Sequence, residues 1–235
     1  MSCLLEAKGI YKAFSGVPAL EDVGLTINSG EVLALIGANG AGKSTLLKIL
    51  TGVYHRDAGD VIIGGEHVHF SHPSQGKDKG LATIYQELTV VPNLDVCENI
   101  FLSKIKHTPA IPYKKLYAEA QKLLDELELS FKPTDKVGRL SVANQQMVEI
   151  ARAISEKAKI LIMDEPTSAL TVKEKDKLFD IARKLRDSGM GLVFVSHRMN
   201  EIFEIADRAT ILKDGKLVGH YEIKDLSMDK IVELM

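Results

Sequence analysis

Val32-Leu-Ala-Leu-Ile36-Gly37-Ala-Asn-Gly-Ala-Gly-Lys43-Ser44-Thr45-Leu-Leu-Lys-Ile-Leu50 is the stretch from which the rest of the chain can be read. Five apolar residues follow one another without alternation, as a strand covered on both faces requires. A glycine-rich turn comes next, and apolar residues at helical spacing follow. We therefore expect a buried strand Val32 to Ile36, a tight loop, and a helix Ser44 to Leu50. The loop fits G-x-x-x-x-G-K-[ST] with both flanks in place. Glycines at 37, 40 and 42 let the backbone fold tightly enough for the N–H groups of Ala38, Asn39, Gly40, Ala41, Gly42, Lys43, Ser44 and Thr45 to converge on one anion. The positive end of the following helix adds to that field. Such a site suits the phosphates of ATP, with Lys43 bridging the β- and γ-phosphates and Ser44 ligating Mg²⁺. A glycine-rich turn that binds nothing would have no use for the Lys-Ser pair.

Moving outward, short β-rich runs recur at Leu4 to Ile10, Val61 to Ile63, Ala82 to Tyr85, Ile160 to Met163, Leu192 to Val195 and Ala209 to Leu212. With helical segments between them they predict an α/β fold on a mixed, largely parallel sheet. One of these strands, Ile160 to Met163, ends in Asp164-Glu165. Paired carboxylates there are costly unless a metal or a water network uses them. Asp164 is expected to hold Mg²⁺ through water and Glu165 to polarise the water that attacks the γ-phosphate. Acidic pairs also cap surface strands, so it is the phosphate loop that gives this pair its meaning.

Between Leu88 and Lys159 the texture becomes helical. Tyr113 to Leu129 puts Leu116, Ala120, Leu123, Leu124 and Leu127 on one face, and Asn144 to Ser155 follows. Pro109 and Pro112 punctuate the entry, and Pro133 and Gly138 mark a turn. We expect one domain over residues 1–235, with a core formed by 1–87 and 160–235 and an inserted helical subdomain over about 88–159. Ser227 to Met235 reads as a last helix capped by Ser227.

With 235 residues, 45% of them apolar, the chain can bury one substantial core. Thirty basic against thirty-two acidic side chains leave a formal charge of -2, which gives no footprint for nucleic acid or anionic lipid. Cys3 and Cys97 fit no disulfide or CxxC pattern and suggest free thiols in the cytosol. The apolar runs fall short of the roughly 20 residues that span a bilayer. No export signal is evident at the N-terminus. Contact with a membrane is therefore expected through a protein partner.

The phosphate loop, Gln86 in Ile84-Tyr-Gln-Glu-Leu88, Leu140-Ser-Val-Ala-Asn144, Asp164-Glu165, Ser168-Ala-Leu-Thr171 and His197 stand in the order of ABC transporter ATP-binding cassettes, which the chain resembles over nearly its whole length. Thr51-Gly-Val-Tyr54, Gln145-Gln-Met-Val-Glu-Ile150 and Ser196-His-Arg-Met-Asn-Glu-Ile202 are similar to the N-terminal cassette of bacterial sugar importers of the ribose, galactose and xylose kind. The resemblance implies a P-loop NTPase core with an N-terminal antiparallel β part. It implies ATP and Mg²⁺ as ligands, and ATP hydrolysis coupled to carbohydrate import. The implied partners are a second cassette, membrane permease subunits and, indirectly, an extracytoplasmic sugar-binding protein. The place implied is the cytoplasmic face of the bacterial membrane.

By the same resemblance, Gln86 touches Mg²⁺ and the attacking water, and His197 contacts the γ-phosphate and orients the water held by Glu165. Phe14 stacks on the adenine, with Tyr11 as competitor, and either could instead be core. Ser141, Val142, Ala143 and Asn144 would bind the γ-phosphate of a nucleotide held by the opposing cassette. Family members usually write this segment with glycines and a glutamine. If position 143 needs φ > 0, Ala143 costs on the order of 1 kcal/mol. Importers of this kind carry two fused cassettes, so the chain is expected to correspond to a first half. A soluble ABC ATPase of translation or DNA repair is the competing expectation, and the absence of a basic patch or long coiled coil speaks against it. His67 and His69 would share one face of an expected short strand, and with His72 they fit either a zinc site or solvated surface histidines; no nearby cysteine supports zinc.

Overall fold

The computed structural model describes residues 2–85, 87–106 and 112–235. Its centre is β3 (Val32–Ile36), all five residues of which are buried. β3 pairs in parallel with β8 (Gly191–Val195) on one side and β9 (Arg208–Lys213) on the other. β8 continues in parallel to β7 (Ile160–Asp164), and β7 to β6 (Leu81–Ile84). The unbroken apolar run of β3 has a direct cause. Leu33 and Leu35 face the cluster holding Leu46, Leu47, Ile49 and Leu50 of α1 (Lys43–Leu50), and Val32, Ala34 and Ile36 face a second cluster on the other side. Both faces are covered, so alternation with polar residues would bury polar groups.

A second part of the sheet is antiparallel. β1 (Cys3–Phe14) lies between β2 (Val17–Asn28) and β4 (Ala58–Ile63), and β4 carries the short edge strand β5 (Glu66–Val68). With β10 (Lys216–Glu222) the order across the ten strands is β5-β4-β1-β2-β10-β9-β3-β8-β7-β6. β10 runs antiparallel to β9 and meets β2 at a single parallel pair, Lys216 with Glu21. The β9–β10 turn, with Asp214 at φ 48° and Gly215 at φ 77°, secures this seam. Glu21 N–H donates to Gly215 O at 2.8 Å, and Gly215 N–H donates to Ala41 O at 3.3 Å. The turn thus holds β2 and the glycine-rich loop together.

The expected strands are present, with β5 ending one residue short of His69, and β2 and β10 are additional. β2 escapes a sequence reading because Pro18 and Gly24 interrupt it and Glu21 and Asp22 break its alternation. The helix from Tyr113 is α5 (Tyr113–Glu126), ending before Leu129, with Glu128 at φ 55°. The next begins earlier than expected, as α6 (Val142–Ser155). Before β6 lies α2 (Pro73–Asp78). Beyond it come α3 (Val96–Ile100), which Asp95 caps by accepting from Glu98 N–H, and α4 (Leu102–Lys106). α3, α5 and α6 contribute Val96, Leu124 and Val148 to the cluster that covers one face of β3. That residues 88–159 work as a distinct subdomain is a proposal. Pro109 and Gln86 lie outside the described residues.

α7 (Val172–Asp187), α8 (Met199–Ile205) and α9 (Met228–Leu234) complete the fold, with Ser227 Oγ accepting from Lys230 N–H at 3.2 Å as the expected cap. Cys3 is exposed and Cys97 buried, both as free thiols. Burial and the neighbouring Asp95 and Glu98 push the Cys97 thiol up to about 12. Among the described residues no helix is long and apolar enough to cross a membrane.

Candidate functional site

The glycine-rich loop delivers the start of α1 to the edge of the sheet, and steric limits dictate its sequence. Gly42, the residue before α1, sits at φ 99°, and a Cβ there would lie 2.6 Å from Leu20 Cδ2 and 2.9 Å from Ala19 O. A Cβ at Gly37 would collide with the Leu212 carbonyl. No side chain caps α1, so the first N–H groups of the helix are left for a ligand. Lys43 Nζ donates to Gly37 O at 2.7 Å and Ala38 O at 3.0 Å, which folds the ammonium over the loop.

The loop forms one wall of a cleft of about 680 Å³, lined by Asn39, Gly40, Gly42, Lys43, Ser44, Thr45, Asp164, Glu165, His197, Ala19 and Val195. The loop, Asp164-Glu165 and His197, three motif segments far apart in sequence, therefore line one cleft together with Ala19 of β2. Asp164 ends β7, and Glu165 follows it at φ 49°, a left-handed conformation that costs a non-glycine residue about 1–2 kcal/mol. The Glu165 N–H donates to Val195 O at 2.9 Å, which fixes this turn to the end of β8. Its carboxylate Oε1 lies 3.3 Å from Nδ1 of the exposed His197, two residues past β8.

Burial opposes charge at Asp164 and Lys43. It pushes the Asp164 carboxyl up, helped by Glu165 and resisted by Lys43 and Lys48. It pulls the Lys43 amine down, resisted by Glu165 and Asp164. A divalent cation would relieve the carboxylates, and the Ser44 hydroxyl and Asp164 carboxylate are the hard oxygen donors Mg²⁺ takes. The donor set fits that ion.

Other expected residues lie elsewhere. Phe14, 41% exposed, packs edge-to-face on Tyr54 at 5.3 Å, and Tyr54 lies under Lys48 of α1. Tyr11 is as exposed, at 43%, so neither aromatic is core. Ser141, Val142, Ala143 and Asn144 do not line the cleft. Ser141 caps α6, its Oγ accepting from Asn144 N–H at 3.3 Å. Its hydroxyl also helps Thr171 hold the Glu174 carboxylate of α7 below its usual range. Ala143 is buried in the first turn of α6 and is absent from the residues with positive φ, so the strain considered for position 143 does not arise. Gln86 lies outside the described residues.

The histidines separate. His67 Nδ1 is 3.2 Å from Asp60 Oδ1, and His69, one residue beyond the end of β5, stacks on His55 with centroids 6.3 Å apart. The strand is thus too short to carry both imidazoles. His72 precedes α2, where its N–H and that of Ser71 donate to Gln75 Oε1.

A family profile described as ABC transporter matches residues 20–168, from β2 through Asp164-Glu165. The chain belongs to the ABC transporter family. The cassette is 48% identical over 235 residues to the ribose import ATP-binding protein RbsA of Halalkalibacterium halodurans, covering 99% of this chain and 47% of that protein. It is 46% identical to RbsA of Geobacillus kaustophilus, covering 99% and 48%. The cassette therefore spans about half the length of the curated relatives it matches. Among solved structures it is similar to an ATP-binding cassette of an ABC transporter in its ADP conformation, with TM-score 0.86, 27% identity and coverage of 100% and 98%. It is also similar to a nucleotide-free cassette, with TM-score 0.85, 26% identity and coverage of 99% and 98%. A dimeric post-hydrolysis cassette bound to ADP and phosphate matches with TM-score 0.81, 27% identity and coverage of 95% and 100%. The sheet and helices described above are those of an ABC ATPase cassette.

The sequence reading missed a set of buried hydrogen bonds behind the cleft, in which Thr167 and Ser196 donate to Glu201 of α8. Ser196 and Glu201 lie five residues apart, but Thr167 is 34 positions from Glu201, so only the folded chain joins the two loops.

Proposed function

We propose that this cassette binds and hydrolyses ATP to power carbohydrate import, working head-to-tail with a second cassette and docked on membrane permease subunits at the cytoplasmic face of the membrane. The observation that carries the proposal is the meeting of Lys43, Ser44, Asp164, Glu165 and His197 on one cleft beside an uncapped helix N-terminus. Phosphoryl transfer needs positioning and charge neutralisation more than covalent help. The N–H groups of the loop and α1 would cradle the phosphates, and Lys43 would exchange its bonds to Gly37 O and Ala38 O for phosphate oxygens. Bound Mg²⁺, held by Ser44, Gln86 and, through water, Asp164, would neutralise the phosphate charge. Glu165 accepts a proton from the attacking water, and His197, 3.3 Å away, orients that carboxylate and reaches the γ-phosphate.

Ser141 to Asn144, remote from the cleft in this chain, would complete the site of the partner cassette. Phe14 would support the adenine. Ribose is the sugar favoured by the relatives, and a separate sugar-binding protein would deliver it. Glu165→Gln should keep ATP affinity and lower phosphate release by about 10²- to 10⁴-fold, the usual worth of a general base. Undiminished turnover in that variant would overturn the proposal. Uptake of labelled ribose by vesicles carrying the permease tests the transport half, and uptake without added ATP would overturn it.

A further inference from the structure

We infer that Glu201 is a positioning residue for hydrolysis, its buried carboxylate fastening together the two loops that carry Glu165 and His197. The inference rests on the function proposed above. Glu201 is 1% exposed, where a carboxylate is costly unless fully partnered. Its Oε2 accepts the Thr167 hydroxyl at 2.6 Å and the Ser196 hydroxyl at 3.0 Å. Its Oε1 accepts from Arg198 Nη1 at 3.2 Å, and the Arg198 N–H donates to Ser196 Oγ at 3.0 Å. In sequence, Thr167 follows Glu165 by two residues, and Ser196 and Arg198 flank His197. One carboxylate oxygen therefore measures the gap between the two loops.

Stability alone does not account for such an arrangement. Buried charged networks are often no more stable than well-packed apolar replacements, and in some proteins they serve to fix geometry instead. Glu165 needs that fixing, because its backbone is held in a left-handed conformation and its N–H has a single bond, to Val195 O. The hydroxyl of Thr167, itself 2% exposed, is the next clamp along that loop. Ser196, 5% exposed, is its counterpart beside His197. Releasing both clamps would let the carboxylate and imidazole drift from their 3.3 Å spacing. Misplacement of a reacting group by about 1 Å can cost on the order of 10²-fold in rate.

The test compares Glu201→Ala, Thr167→Val and their double variant in the intact protein, with Glu165→Gln as reference. Glu201→Ala should lower kcat about 10- to 100-fold while KM and the dissociation constant for ATP stay within about twofold. Thr167→Val, nearly isosteric, should lower kcat less and fold normally. It should add nothing in the Glu201→Ala background, because Glu201→Ala already releases the Thr167 clamp along with that of Ser196. A merely structural Glu201 would lower Tm and leave kcat per folded molecule unchanged, and that result overturns the inference. Equal fractional losses from Thr167→Val in both backgrounds overturn it too. If Glu165→Gln abolishes turnover while Glu201→Ala retains it, this inference fails and the proposed function stands. If Glu165→Gln itself turns over normally, it is the function that fails.

Discussion

The two helices that the proposed function brings to one nucleotide, α1 from one cassette and α6 from its partner, begin in opposite ways. α1 starts at Gly42 in a left-handed conformation with no side-chain cap, and its early N–H groups face the cleft. α6 starts at Ser141, whose Oγ accepts from Asn144 N–H at 3.3 Å. The first helix end is left unsatisfied by its own chain and depends on a ligand. The second is satisfied from within, so a ligand there competes with an existing cap. The primary phosphate site is thus shaped by backbone and sterics, and the partner-facing site by a side chain that can rotate.

The largest effect should come from Gly42→Ala, which combines a left-handed φ with collisions against Leu20 and Ala19 O. A stability loss of about 3 kcal/mol is expected in denaturant titration, along with lost ATP binding. Full nucleotide affinity would break the contrast at the α1 end. Ser141→Ala should cost about 1 kcal/mol, the worth of an N-cap, and leave ATP affinity of the isolated cassette unchanged. No stability loss would mean that the hydroxyl does not cap α6. Ala143→Gly, which restores the commoner residue, should destabilise by about 0.5–1 kcal/mol, because Ala143 is a helical residue. A more stable variant would show that position 143 is strained after all.

The smallest effect concerns the cleft itself. Burial raises the Asp164 pKa in the folded state, so the folded protein binds that proton more tightly than the unfolded chain. The resulting destabilisation is fully present above the raised folded pKa and vanishes below the ordinary carboxylate range, where both states are protonated. Asp164→Asn should therefore raise Tm slightly near pH 7 and make no difference in strong acid, as thermal melts across pH would report. A gain that grew in acid would contradict the stated cause.

The contrast also explains what could be read in the sequence. The start of α1 is a local device, so eight consecutive residues revealed it, and Asp164-Glu165 became meaningful once paired with it. β3, β7 and β8 were legible because burial on both faces leaves unbroken apolar runs. β2 and β10 were not, because Pro18, Gly24 and a mixed run of Lys, Gly and His obscure their period. The cap at Ser141 moved the start of α6 two residues earlier than the apolar pattern suggested. The role of Glu201, which lies within Ser196 to Ile202, was hidden for a different reason. On α8 it reads as one more acidic surface residue, and its partner Thr167 lies 34 positions away.

The turn at Asp214-Gly215 has a consequence for protein engineering. Hairpin tips are ordinarily the safest places to insert a tag or open new termini. This one donates an N–H to Ala41 O and accepts from Glu21 N–H, spanning the seam between the antiparallel and parallel parts of the sheet. Lengthening it would loosen the phosphate loop from more than 170 residues away in sequence, so an outwardly dispensable corner of the fold acts as its fastening.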